Sequence, residues 1–252
     1  MQFRKKFIRS MGILAVLGIL VFAMTVEARQ GSGNGKNGNQ MGLSSVIAGL
    51  PYEELSDLEI DGLIQMREEE KLARDVYVTL YEQWGLAIFN NISQSEQQHM
   101  TAVKFLLDKY GLTDPVVDST VGAFSSEEMS ELYEELTAMG NLSLVDALFV
   151  GATIEDLDLF DLYEFLAETD NVDVKTVYQN LAKGSRNHLR AFAYQLSINN
   201  EKYSAQYLDQ DQIDDILTAE MERGMVDEEG YPVTPIKEGT GNKSGGGQGF
   251  RK

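Results

Sequence analysis

The chain has 252 residues, 43% of them apolar, which suits a globular core, and a formal net charge of −19. That charge speaks against nucleic acid or anionic lipid as partners, because both reward clustered Lys and Arg. Cysteine is absent, so there is no disulfide, iron–sulfur centre or thiol nucleophile, and a metal could be held only by oxygen and imidazole.

In chain order, "MQFRKKFIRS" is a basic leader and "MGILAVLGILVFAMTV" an apolar run of 16 residues, followed by small residues before Arg29. Residues 1–28 therefore read as a signal peptide, and the expected location is the periplasm, the cell envelope or the outside. The alternative is an uncleaved anchor, although the run falls short of the roughly 17 to 25 residues of a spanning helix. Arg4, Lys5, Lys6 and Arg9 against Glu27 make this leader +3, so the mature chain carries −22 rather than −19. Residues 29–44 are Gly/Asn-rich and read as a flexible linker, residues 45–222 as one domain, and residues 223–252 as an extended segment and Gly-rich tail.

Within the domain, apolar residues recur at helical spacing. Leu63, Met66, Ala73, Tyr77, Leu80 and Trp84 predict a first long helix over about 60–84, stopped by Gly85. Ile92, Val103, Leu106 and Tyr110 predict a second over 91–110, stopped by Gly111. A loop around Asp114-Pro115 and a short Ser-capped helix ending near Gly140 follow. A third long helix over 143–168 carries Leu148, Ala152, Leu159, Leu162 and Leu166, and a fourth over 173–199 carries Val177, Leu181, Ala191, Phe192 and Gln195. The expected fold is all-α, a four-helix bundle whose second and third helices are joined by a long crossover with a short extra helix.

Each apolar line is interrupted near its middle by Glu70, by Glu96 and His99, by Glu155, or by His188. A buried carboxylate without a partner is too costly to keep ionised, so three Glu and two His converging on one axis point to a metal: iron, manganese or zinc. Each residue alone has a plainer reading. Glu96 stands at a capping-box distance from Ser93, His99 could be a hydrogen-bonded core histidine, and Glu70 and Glu155 lie in acidic runs that are often solvated. Both histidines landing mid-stripe on two different helices is what joins them into one pattern.

"EKLARDVY" resembles the first helix of rubrerythrin-type ferritin-like proteins, and "ISQSEQQHMTAVKFL" resembles their second, with its Glu-x-x-His pair at Glu96 and His99. Glu155 in "VGATIEDLDL" and His188 in "SRNHLRAF" fall at the third-helix and fourth-helix positions. Residues 52–215 also resemble an uncharacterised prokaryotic ferritin-like domain family, DUF2202, typically found as exported proteins. The resemblance implies a di-iron carboxylate site that reacts with dioxygen or peroxide, on a ferritin-like bundle. It makes Glu70, Glu96, His99, Glu155 and His188 metal ligands, and Tyr77 a residue that hydrogen-bonds a ligand or a bound oxygen species, beside the plainer reading of a core aromatic. An external electron donor is implied for reductive turnover, since this chain lacks the cysteines of the rubrerythrin relay, and a homo-oligomer is compatible with the family.

One departure stands out: Ser185 occupies the place of a bridging Glu. Asp158, one turn after Glu155, is the candidate to substitute for it, or else is simply solvated. Three functions stay open: a ferroxidase or peroxidase, a non-catalytic metal-binding or sequestering module, and a helical interaction protein whose site is vestigial.

Overall fold

Helix boundaries follow from the caps. Ser56 accepts a hydrogen bond from the Glu59 amide while the Glu59 carboxylate accepts from the Ser56 amide, a reciprocal pair that opens a helix over Asp57–Trp84. Gly85 closes it at φ 64, a left-handed conformation that glycine adopts without penalty, and the chain reverses within two residues into a helix over Ala87–Tyr110. Ser143 caps a third long helix by accepting from the Asp146 amide, and Asn171 stands at the N-cap position of a fourth.

The computed structural model describes residues 42–233, and over these the fold is all-α. The helices are α1 (Leu43–Ile47), α2 (Asp57–Trp84), α3 (Ala87–Tyr110), α4 (Glu127–Gly140), α5 (Leu144–Glu168), α6 (Val172–Ile198) and α7 (Gln210–Thr218). The only β pairing among the described residues is an isolated bridge between Val226 and Pro232. None of these helices is long and apolar enough to cross a membrane. The expected leader, most of the linker and the Gly-rich tail lie outside the described residues.

Two hairpins, α2–α3 and α5–α6, pack face to face, α2 against α5 and α3 against α6. Directions follow from the contacts. The start of α2 meets the residue after α5, where Thr169 Oγ1 donates to Glu59, while Tyr77 further along α2 reaches Gly151 and Glu155 near the middle of α5. On the other side Tyr110, at the end of α3, donates to Asp173 at the start of α6. Both pairs are antiparallel, so α3 and α5 point the same way. The chain must travel back along these helices between them, about 35 Å at 1.5 Å per helical residue, and residues 111–143 with α4 do so.

That crossover is fastened by buried charge. Lys71 reaches Asp75 Oδ2 at 2.5 Å and the Thr120 carbonyl at 3.0 Å; Arg74 donates to Asp75 Oδ1 and the Ser119 carbonyl; the Gly122 amide donates to Asp75 at 3.0 Å. Arg67 forks onto both oxygens of Asp114.

Some boundaries differ from the sequence reading. α3 starts at Ala87, four residues early, because Phe89 is fully buried and needs the first turn to reach the core. Near the end of α6 the buried line runs through Leu189, Phe192 and Leu196 rather than Ala191 and Gln195, which are half-buried. α1 begins within the expected linker and packs on α3 and α6. Residues 222–226 are tied to α6 by Asn180, Lys183, Arg186 and Asn187, so the extended segment after 222 starts along the surface of the domain.

Candidate metal centre

Glu70 on α2, Glu96 and His99 on α3, Glu155 on α5 and His188 on α6 meet between the hairpins. Glu96 lies in the third turn of α3, whose cap is Leu86, and Ser93 Oγ donates to the Asn90 carbonyl, so Glu96 caps nothing. Glu70, Glu96 and Glu155 are each 2% exposed, and the two imidazoles are largely buried. The residues form two triads, Glu70–Glu96–His99 and Glu96–Glu155–His188, in each of which one ligand atom per residue lies within 4.8 Å of the others. Glu96 belongs to both: its Oε2 is 2.7 Å from His99 Nδ1 and its Oε1 is 2.9 Å from His188 Nδ1.

The second triad is close without being hydrogen-bonded. His188 Nδ1 is 2.9 Å from Glu96 Oε1 and 3.3 Å from Glu155 Oε2, yet Nδ1 and Glu96 Oε1 have no partner in hydrogen-bond geometry, and neither does Glu70 Oε1. Orphaned buried donors and acceptors are rare because each costs about 1–3 kcal/mol. Lone pairs facing one another across a few ångströms are what a bound cation resolves, so the donor set fits a pair of metal ions with Glu96 between them.

Electrostatics describe the same problem. Burial raises Glu70 well above the usual carboxylate range, with the His99 charge only partly opposing it, and burial with the charge of Glu96 raises Glu155. Burial pushes Glu96 up too, but His188 and His99 outweigh it and hold it low. Burial disfavours charge on both imidazoles; Glu70 and Glu96 nevertheless raise His99, and Glu96 and Glu155 raise His188 to about 10. Without a metal, protons do the neutralising.

Tyr77 OH donates to Glu155 Oε1 at 2.6 Å and lies 3.3 Å from the Gly151 carbonyl, so it orients one carboxylate of the cluster. Asp158 falls outside both triads. Its Oδ2 accepts a 2.5 Å hydrogen bond from Ser185, and burial followed by the Glu155 charge raises it to about 8.

Other features were not singled out from the sequence. Glu69 is buried, accepts from Gln65 at 2.7 Å, and is raised well above its ordinary range by burial and then by Asp161 and Asp158. Its spacing carried the signal, since Met66, Glu69, Glu70 and Ala73 follow the i, i+3, i+4, i+7 pattern of one face. Ser95 Oγ lies 3.0 Å from His188 Nε2. At Gly184 on α6 a Cβ would stand 2.5 Å from His99 Nε2 and Cε1, so the ring fits only because that position is glycine.

Residues 59–220 match the family model described as "Uncharacterized protein domain (DUF2202)". The chain belongs to this family. It is 53% identical over 179 residues to "Uncharacterized protein MJ0754" of Methanocaldococcus jannaschii, an alignment covering 71% of this chain and 97% of that protein. It is also similar to the crystal structure of hypothetical protein MJ0754 from Methanococcus jannaschii, with a TM-score of 0.68 at 52% identity, covering 69% of this chain and 99% of that one. The family match leaves out residues 1–58 and 221–252.

Proposed function

We propose that this DUF2202 chain is an exported ferritin-like four-helix-bundle protein that binds a pair of iron ions and oxidises ferrous iron with dioxygen or peroxide. The observation that carries the reading is Glu96, a buried carboxylate shared by two Glu/Glu/His triads: His99 Nδ1 is hydrogen-bonded to Glu70 Oε2 at 3.1 Å in the first, whereas His188 Nδ1 and Glu96 Oε1 face one another without a hydrogen bond in the second. Two antiparallel hairpins joined by a crossover that returns along them support the ferritin-like part of the reading. Export rests on the leader sequence alone.

Glu70 and His99 would hold one ion and Glu155 and His188 the other, with Glu96 between them. Bound iron supplies the electrons that reduce the oxidant. The protein's own part is positional. Tyr77 fixes the rotamer of Glu155 by donating to its Oε1 from a hydroxyl oxygen 2.6 Å away. Ser95 fixes the ring of His188 through Nε2, which leaves Nδ1 facing inward. Ser185 and Asp158 occupy the place of the missing bridging Glu, and their hydrogen bond turns Asp158 Oδ2 toward the serine. The Glu155–His188 position is therefore the weaker of the two.

Anaerobic titration of the purified mature chain with ferrous iron, followed by admission of air, tests this. Two ions per chain, one held more tightly, and oxygen uptake proportional to bound iron are expected. Binding without oxygen uptake would leave a sequestering module. No binding of iron, manganese or zinc would sink the metal reading.

A further inference from the structure

Behind the two histidines a cleft of about 580 Å³ opens between α3 and α6, bounded also by the start of α1 and by Gly224 and Met225. Among the described residues no carboxylate lines it, which is unusual for a protein with 40 acidic residues against 21 basic ones. What faces it instead is a set of donors. The Nδ1 atoms of His99 and His188 point to the carboxylate cluster, so each Nε2 carries a hydrogen when the ring binds metal through Nδ1 or is protonated. For His188 that hydrogen goes to Ser95 Oγ. A hydroxyl that has accepted it still has its own O–H to give. His99 Nε2 lies against Gly184 at the cleft and has no hydrogen-bond partner among the described residues.

Lys183 stands at the same cleft. Its ammonium reaches two neutral acceptors, the Gly224 carbonyl at 2.5 Å and Asn180 Oδ1 at 3.2 Å, and no described carboxylate lies within ion-pair distance. Glu222, the nearby acid, is engaged by Arg186 and Arg190. An ammonium with a hydrogen to spare and no counter-ion, a serine O–H and an imidazole N–H around one space together call for a ligand that only accepts.

We propose that this cleft is a binding site for an oxyanion, a phosphate or carboxylate group carried on a small organic molecule, held by Lys183, Ser95 and His99 Nε2. The metal-loaded form of the proposal rests on the metal reading above. The volume suits an organic body, since small-molecule pockets run from roughly 300 to 1,000 Å³. Bound there, the anion sits behind the imidazoles and opposes the positive charge of the metal pair through the rings, without displacing a ligand.

The chain has only two histidines, so ¹⁵N-histidine NMR reads the site directly. The mature protein loaded with redox-inert zinc is titrated with inorganic phosphate, glycerol phosphate and succinate, with zinc content measured in parallel. At least one anion is expected to bind and to shift the Nε2 resonance of His99, and Lys183→Met should weaken it at least tenfold at unchanged zinc content. Tighter binding of glycerol phosphate or succinate assigns an organic ligand, whereas binding of inorganic phosphate alone keeps the oxyanion site and corrects its occupant. Zinc bound with no anion bound overturns the proposal, as does binding that is equal in Lys183→Met. If zinc is not taken up, the metal reading fails separately. The same anion titration on the metal-free chain, compared with its Lys183→Met variant, then decides the cleft by itself.

Discussion

Glu96 differs from the other four residues of the cluster because it alone touches both histidines, at 2.7 and 2.9 Å. Glu96→Gln keeps its size and removes the charge shared by two positions, so both ions should be lost together. His188→Ala removes a donor from one triad only, and one ion should remain on Glu70, Glu96 and His99. Metal-to-protein ratios after gel filtration read both outcomes, and an equal loss in the two variants would mean that the triads do not act as separate positions. Glu96, His99 and His188 were legible in the sequence because a helix with few polar residues on its inner face makes each one conspicuous. Glu69 was not, because it sits beside Glu68 and Glu70 and only strict attention to the Met66–Ala73 face separates them. Asp156 was hidden for another reason. It serves the chain beyond α6, accepting from Tyr203 OH and the Gln206, Tyr207 and Leu208 amides, and no local pattern announces a partner about 50 residues away.

At the scale of elements, carboxylates do much of the fastening. Glu59 joins the cap of α2 to the turn between α5 and α6, accepting from Ser56, Thr169 and the Asn171 amide. Burial opposes its charge, but the Thr169 and Ser56 hydrogen bonds prevail and its folded pKa lies below 4.5. Its contribution is therefore present above pH 4.5 and lost as pH falls through the lower folded value. Glu59→Gln should cost about 1–2 kcal/mol at pH 7 by urea denaturation, and the gap to the parent should narrow below pH 4; a gap independent of pH would contradict the charge argument. Asp75 is the heavier case. Asp75→Ala would leave Lys71 buried without its counter-ion, at a cost of about 3–5 kcal/mol, and would release the Gly122 amide. Hydrogen exchange over residues 111–126 should accelerate more than over α6. The long helices were readable from spacing, caps and Gly85 or Gly111. The path of the crossover was not, because it is set by the Arg67–Asp114 ion pair and by hydrogen bonds of Lys71, Arg74 and Asp75 to backbone groups 45 to 49 positions away, and by no periodicity.

For the whole molecule, the cost of the site and its use are the same fact. Glu70, Glu96, Glu155 and Asp158 crowd the middle of the fold with only two imidazoles to offset them, so the metal-free protein keeps carboxylates there at the expense of stability. Any ion that binds the folded chain alone returns that stability, about 2.7 kcal/mol at a hundredfold excess over its dissociation constant. For a domain of this size that is roughly 5–10 °C in melting temperature. Ser185 bears on both sides of this balance. It is 1% exposed and donates to Asp158, so Ser185→Glu would replace a donor with a further carboxylate facing Asp158 and Glu155. The metal-free variant should melt below the parent, while its metal-loaded form should gain more from the ion than the parent does, because the added carboxylate supplies the bridge that the serine cannot. Ser185→Gln separates charge from bulk: it carries the same volume without the charge, and should melt lower with and without metal. If the Glu and Gln variants respond to metal alike, the loss is one of packing, and Ser185 with Asp158 already completes the shell.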